Sequence, residues 1–199
     1  MTALEMMQRD EPYVVSDFDM PKDIQRKARR LCHQYNLLNV DEHEKKHQIL
    51  EELFGTCSTN TFIEQGFKCD YGINIHTDGL CVMNFNVVIL DTSPVRIGCN
   101  CFIAPNVVLT CVGHSLDAQE RSEGIMTSKP ITIEENVWIG SNVTICGGVT
   151  IHRNSVIGAN SVVTRDIEEG VVAFGSPCKA IRKITEKDKL LLENSLKEI

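Results

Sequence analysis

Between residues 97 and 163 a branched aliphatic residue recurs every six positions, at Ile97, Ile103 and Leu109, then at Ile133, Ile139, Ile145, Ile151, Ile157 and Val163. The 24 residues from Leu109 to Ile133 make four whole repeats, so whatever leaves the pattern there returns in register. A period of six fits neither an α-helix, near 3.6, nor a single strand, at 2. A parallel β-helix accounts for it: each unit forms one flat side, its aliphatic residue points into a prism, and three units complete a coil that stacks on the next at roughly 4.8 Å. Gly and Asn stand where sharp corners would fall, in Ile97-Gly98-Cys99-Asn100, Ile139-Gly140-Ser141-Asn142 and Ile157-Gly158-Ala159-Asn160. The rival architecture is an antiparallel β-sandwich with chance spacing, and nine in-phase positions are hard to obtain from strands of irregular length. The fold class expected is therefore an all-β solenoid.

The flanks differ from this core. Charged and apolar residues alternate at helical spacing over Ile24 to Tyr35 and Glu42 to Phe54, which predicts two short helices. Ile73, Ile75, Cys81 and Val87 suggest a less regular coil from about residue 70, and Lys187 to Ile199 reads as a last amphipathic helix. The organisation expected is a helical segment over 1–60, a β-helix over 61–184 with a loop at 111–130, and a C-terminal helix over 185–199. A chain of 199 residues buries a sizeable core. No cationic start precedes an apolar stretch, and no window approaches the about 18 apolar residues of a membrane span, so a cytoplasmic chain without a membrane partner is expected. Nine cysteines, an odd number with no C-x-x-C pair, read as reduced and mostly buried thiols. A net charge of −7 argues against a nucleic-acid partner.

Three runs carry a resemblance: Ile131-Thr132-Ile133 with Asn136-Val137-Trp138-Ile139-Gly140, Val156-Ile157-Gly158-Ala159 with Ser161-Val162-Val163-Thr164-Arg165-Asp166, and Gly175-Ser176-Pro177-Cys178-Lys179 with Ile181-Arg182. In these the chain resembles the maltose and galactoside O-acetyltransferases, hexapeptide-repeat acyltransferases, over nearly its whole length. The resemblance implies a left-handed coil, a homotrimer, acetyl-CoA as cosubstrate with no metal, and transfer of an acetyl group to a hydroxyl of a sugar or sugar-like acceptor.

An alcohol is a poor nucleophile until its proton is removed, and histidine suits that task near neutral pH. The resemblance puts the base at His114, in the loop that breaks the repeats. It places Ser141 where a donor would meet the charge that develops on the acyl oxygen, and Asn84 in the acceptor pocket with Asp91, Met126 and an N-terminal acid, Asp17 or Asp19. Trp138, Ser141, Ala159 and Thr164 match positions beside the pantetheine arm, and Arg165, Lys179, Arg182 and Lys183 form a basic patch for the nucleotide phosphates. Two departures bear on the acceptor: a family acid aligns with Thr92 and a pocket tyrosine with Val82. A site built to read hydroxyls is sensitive to such losses, so the acceptor stays open.

Three other readings compete. His43-Glu44-Lys45-Lys46-His47 matches H-E-x-x-H literally, but it is very polar and shows no nearby third ligand, so a solvated helix face is expected. A zinc lyase of the γ-carbonic anhydrase type needs three histidines, with a pair five apart in the equivalent loop. Here Gln119 stands five after His114, leaving only the distant His76 and His152. A non-catalytic β-helix scaffold draws support from turns without a corner glycine, Ile133 to Asn136 and Ile151 to Asn154, and from Cys146-Gly147-Gly148, which replaces the family's Pro-Gly.

Overall fold

The structure, a computed structural model, describes residues 2–14 and 21–190. Short strands stack in parallel into three faces of a prism. Face I holds Thr61–Ile63, Cys81–Met83, Cys101–Ile103, Trp138–Ile139, Val156–Ile157 and Val171–Phe174, with Lys179–Lys183 added antiparallel at the end. Face II holds Lys68–Cys69, Val88–Leu90, Val108–Thr110, Thr144–Cys146 and Val162–Val163. Face III holds Ile75–Thr77, Val95–Ile97, Ile131–Ile133 and Thr150–Ile151. The chain runs I to II to III in each coil.

The six-residue spacing sets the core. Ile97 pairs with Ile133 and that with Ile151, Ile103 with Ile139 and Ile157, and Leu109 with Ile145 and Val163. All nine side chains are at most 2% exposed. The 111–130 segment leaves after one coil and returns without shifting the stack. Earlier coils are longer: Cys81 pairs with Cys101 and Ile89 with Leu109, 20 positions apart rather than the 18 between Ile139 and Ile157. The strict phase therefore starts only at Ile97, although coiling begins at Thr61. Ile75, Cys81 and Val87 are buried, whereas Ile73 is an exposed residue and not part of the core.

Asparagine makes the corners of the regular coils, while Gly66, Gly79 and Gly170 turn the same edges in the first and last coils. Asn86, Asn106, Asn142 and Asn160 turn the edge between faces I and II, and Asn100, Asn136 and Asn154 the edge between III and I, all with φ between 57° and 61°. Asn tolerates this left-handed conformation because its short polar side chain bonds locally. The amides also form a ladder, Asn100 Nδ2 donating to Asn136 Oδ1 at 3.1 Å and Asn136 Nδ2 to Asn154 Oδ1 at 3.1 Å. Gly98, Gly140 and Gly158 serve another purpose: a Cβ at Gly140 would lie 2.7 Å from Ala159 N, so the next coil could not stack. The turns at Glu134 and His152 are thus intact corners, with Asn136 and Asn154 in place. Replacing Asn136 with Ala should cost about 1–2 kcal/mol, through αL strain and two lost hydrogen bonds, read as a lower urea midpoint. An unchanged midpoint would count against the asparagine corner.

Two helices cover the lower coils: α1 (Lys22–Leu37) and α2 (His43–Leu53), close to the ranges the sequence predicts. Ala28, Leu31, Cys32 and Tyr35 form the buried stripe of α1, and Asn36 seals it to the prism, donating to Phe67 O at 2.9 Å and accepting from Gly66 N at 2.7 Å. The expected C-terminal helix falls mostly on 191–199, outside the described residues; before them lies only a 3-10 turn, Glu186–Asp188.

The outward residues differ from face to face. On face I, Phe62, Val82, Phe102, Trp138, Val156 and Val172 stack in register, with Phe62, Phe102 and Trp138 47–55% exposed. Face III presents His76, Arg96, Thr132 and Thr150 at the matching positions.

Candidate active site

The edge between faces II and III breaks the rule of the other two. It carries no asparagine corner; Asp91-Thr92-Ser93-Pro94, the 111–130 excursion, Gly147-Gly148 and Thr164-Arg165 occupy it instead. The excursion is an antiparallel hairpin of Val112–His114 and Ile125–Ser128, joined by the short helix Ala118–Ser122. The N-terminal strand Tyr13–Val14 pairs with its other side. Met126 lies opposite both Tyr13 and His114, so His114 and Met126 meet on one small sheet, with the imidazole exposed.

Buried hydroxyls fix this arm. The Tyr13 hydroxyl and Ser128 Oγ are 2.9 Å apart, and Ser128 Oγ donates to Thr92 Oγ1 at 3.0 Å. Met6, Met7, Tyr13 and Tyr71 form a second apolar cluster beneath, with Met126 against it. Both ends of the arm close over Gly147, where a Cβ would stand 2.8 Å from Cys111 O and 3.0 Å from Lys129 O. The missing side chain in Cys146-Gly147-Gly148 is therefore the space the arm occupies, not a worn turn.

Asp91, expected to meet the acceptor, is fully buried at this edge. Its Oδ1 accepts from the backbone N–H groups of Asp70 at 3.0 Å and Tyr71 at 2.9 Å, while Oδ2 is buried without a partner among the described residues. In this chain the carboxyl braces the turn and has no surface to offer a sugar. Burial pushes its pKa up to about 7. An unfolded Asp gives up its proton near pH 4, so this group's stabilising contribution is complete below about pH 4 and disappears as pH rises through about 7. Asp91→Asn should remove that slope, a difference on the order of a few kcal/mol between pH 4 and 8 in urea unfolding. Parallel pH profiles for the two proteins would refute it.

The remaining site residues lie elsewhere. Asn84, Ser141 and Ala159 sit on the edge between faces I and II, Asn84 with its Oδ1 accepting from Phe85 N at 2.8 Å. Asn142 N bonds Pro105 O and Asn160 N bonds Ser141 O, which stacks Ser141 directly under Ala159. Trp138 faces outward from face I, and Thr164 and Arg165 are exposed on the same edge as His114. Within one chain His114 and Asn84 thus occupy opposite borders of face II. Asp17 and Asp19 lie outside the described residues.

Lys179, Arg182 and Lys183 are exposed on the terminal strand of face I. Arg182 has a partner that its sequence neighbourhood does not announce: Asp188 takes its guanidinium in a fork, at 2.8 and 2.6 Å. That pairing holds the Asp188 carboxyl down to about 2. Any phosphate bound there competes with Asp188, leaving Arg165, Lys179 and Lys183 as the cations of the patch outside an ion pair among the described residues.

The competing histidines are accounted for locally. His76 Nδ1 lies 3.0 Å from Thr56 Oγ1 and His152 Nδ1 3.2 Å from Glu134 Oε1. His43 and His47 border a cavity of about 640 Å³ beside α2. Among the described residues no three His, Cys, Asp or Glu side chains gather as a metal site, and no helix is long and apolar enough to cross a membrane.

Similarity to known proteins agrees with this architecture. The bacterial transferase hexapeptide model, of six repeats, matches residues 130–165, and the maltose acetyltransferase hexapeptide capping motif matches residues 7–58. Galactoside O-acetyltransferase of Escherichia coli K12 is 45% identical over 163 residues, 82% of this chain and 80% of its own. The crystal structure of a maltose O-acetyltransferase from Clostridium difficile 630 superposes with a TM-score of 0.89 at 40% identity, covering 94% of this chain and 99% of that one. A galactoside acetyltransferase in complex with coenzyme A gives a TM-score of 0.86 at 41% identity, covering 94% of each. The hexad core, the capping helices and these similarities together show that the chain belongs to the maltose and galactoside O-acetyltransferase family of hexapeptide-repeat acyltransferases.

Proposed function

We propose that the protein moves an acetyl group from acetyl-CoA to a hydroxyl of a sugar-like acceptor, in the cytoplasm, at sites shared between neighbouring copies of a homotrimer. The observation that carries the reading is an exposed histidine, held on a braced arm, at the one irregular edge of an otherwise uniform prism. The trimer is supported by the apolar stripe on face I and the polar face III: a three-fold ring needs two dissimilar contact surfaces per copy and leaves the third to water. Face II ends in His114 on one border and in Asn84 and Ser141 on the other, and a six-residue side spans up to about 20 Å. A site that uses all three therefore takes one border from each of two copies.

Acetyl-CoA supplies an activated thioester. The fit is local: the exposed Trp138 and Ala159 leave room for a slender arm, and Arg165 and Lys179 offer charge for phosphates. His114 accepts the acceptor's hydroxyl proton as the new ester bond forms and the thioester C–S bond breaks, and that proton leaves with the coenzyme A thiolate as free thiol. Ser141 supplies a donor where negative charge grows, and Asn84 orients the acceptor. Cys111, the thiol at the base of the arm, is not the nucleophile: it is buried, and burial pushes its pKa up to about 12. A panel of sugars and amino sugars, assayed for thiol release from acetyl-CoA with the His114→Ala protein as blank, tests this reading. Acceptor-dependent release above the blank supports it; none across the panel, with no acetyl-CoA binding by calorimetry, overturns it.

A further inference from the structure

Nine cysteines are present, yet one pair stands apart. Cys32, on α1, and Cys69, on the first strand of face II, approach to 3.6 Å between sulfurs although 37 positions separate them. They are 5% and 8% exposed, but both border a cavity of about 420 Å³ that opens to solvent between helix and prism. Arg29, His33 and Lys68 line the same cavity. Cations beside a thiol favour its thiolate, the reactive form. Asp70, also on the wall, and the buried Asp91 oppose them, Asp70 at Cys69 and Asp91 at both sulfurs.

We propose that Cys32 and Cys69 form a dithiol modification site that takes a small hydroperoxide and closes to a disulfide, bolting α1 to the first coil of the prism. The roles are unequal. The bond between the two sulfurs holds the Cys32 thiol below its ordinary range, and the same bond, with burial, pushes Cys69 upward. Cys32, which shares its helix with Arg29 and His33, is assigned as the attacking sulfur, and Cys69, next to Asp70 in the chain, as the resolving one. The Cys32 thiolate attacks one peroxide oxygen, the O–O bond breaks and hydroxide leaves, giving a sulfenic acid. The Cys69 sulfur then attacks the Cys32 sulfur, the S–O bond breaks and a second hydroxide leaves. The two thiol protons convert both hydroxides to water; two thiols have lost two electrons to one peroxide.

The other cysteines provide an internal control. Cys81 and Cys101 are neighbours in register on face I, but both are fully buried inside the prism, and burial pushes the Cys101 thiol up to about 11. No oxidant reaches them in the folded chain.

The test uses the full chain, treated with hydrogen peroxide, alkylated and mapped by peptide mass spectrometry without reduction. The expected product is a cross-link joining Cys32 to Cys69, reversed by dithiothreitol, with Cys81 and Cys101 still reduced. Closing a loop of this length should raise Tm on the order of 10 °C. The Cys69→Ser protein should show neither the cross-link nor the rise. Because that variant removes a buried contact, the map of the unmodified sequence decides alone. Equal alkylation of Cys32 and Cys69 before and after peroxide, or faster cross-linking at any other pair, overturns the proposal.

Discussion

Replacing His114 with Ala should lower kcat by roughly two to four orders of magnitude, the range expected when a general base is lost. Acetyl-CoA binding, measured by calorimetry, stays unchanged, because the exposed imidazole supports neither the prism nor the basic patch. The contrast matters more than the size of the loss. A histidine that merely shaped the arm would change binding and kcat together, whereas a base acts on the acceptor's proton and leaves the ground-state complex intact. Full activity in the variant would remove His114 from the mechanism.

The second large effect comes from a residue with no side chain. Gly147→Val puts carbon atoms against Cys111 O and Lys129 O, the two ends of the arm. The arm must shift, and a displacement of about 1 Å in a reacting group costs on the order of a hundredfold in rate. Stacking of the coils on either side does not depend on this position, since Ile145 and Ile151 keep their partners. The variant should therefore retain its assembly state and most of its Tm while kcat falls about a hundredfold. Loss of folding in step with activity would show that Gly147 serves the prism rather than the arm.

What the chain revealed in advance follows from how each feature is encoded. The core was readable because its period is imposed by geometry: on either side of the arm, over 97–109 and 133–163, every sixth residue must enter the prism, and nothing distant can change that. Corners were misread because Gly and Asn occur together, while only the structure separates Asn142, which turns the chain, from Gly140, which clears space for the coil above. The arm's support was invisible. Tyr13–Val14 is too short a strand to leave a pattern, and the contact of Ser128 with Thr92 joins residues 36 positions apart. Thr92, a departure from the family's acid, proves to accept a hydrogen bond inside this brace. Asp91 illustrates the same limit, since an acid is ordinarily solvated and only the packed turn of Asp70 and Tyr71 hides it.

The division of the site between two copies is tested most directly by mixing two inactive proteins. His114→Ala and Asn84→Ala chains, co-expressed with different tags and purified as mixed trimers, should regain activity. Every mixed trimer holds two copies of one variant and one of the other, so one site in three joins an intact His114 border to an intact Asn84 border, and about a third of the unmodified rate returns. Mixed trimers no more active than the two parents would place both residues in a site within one chain and contradict the shared one.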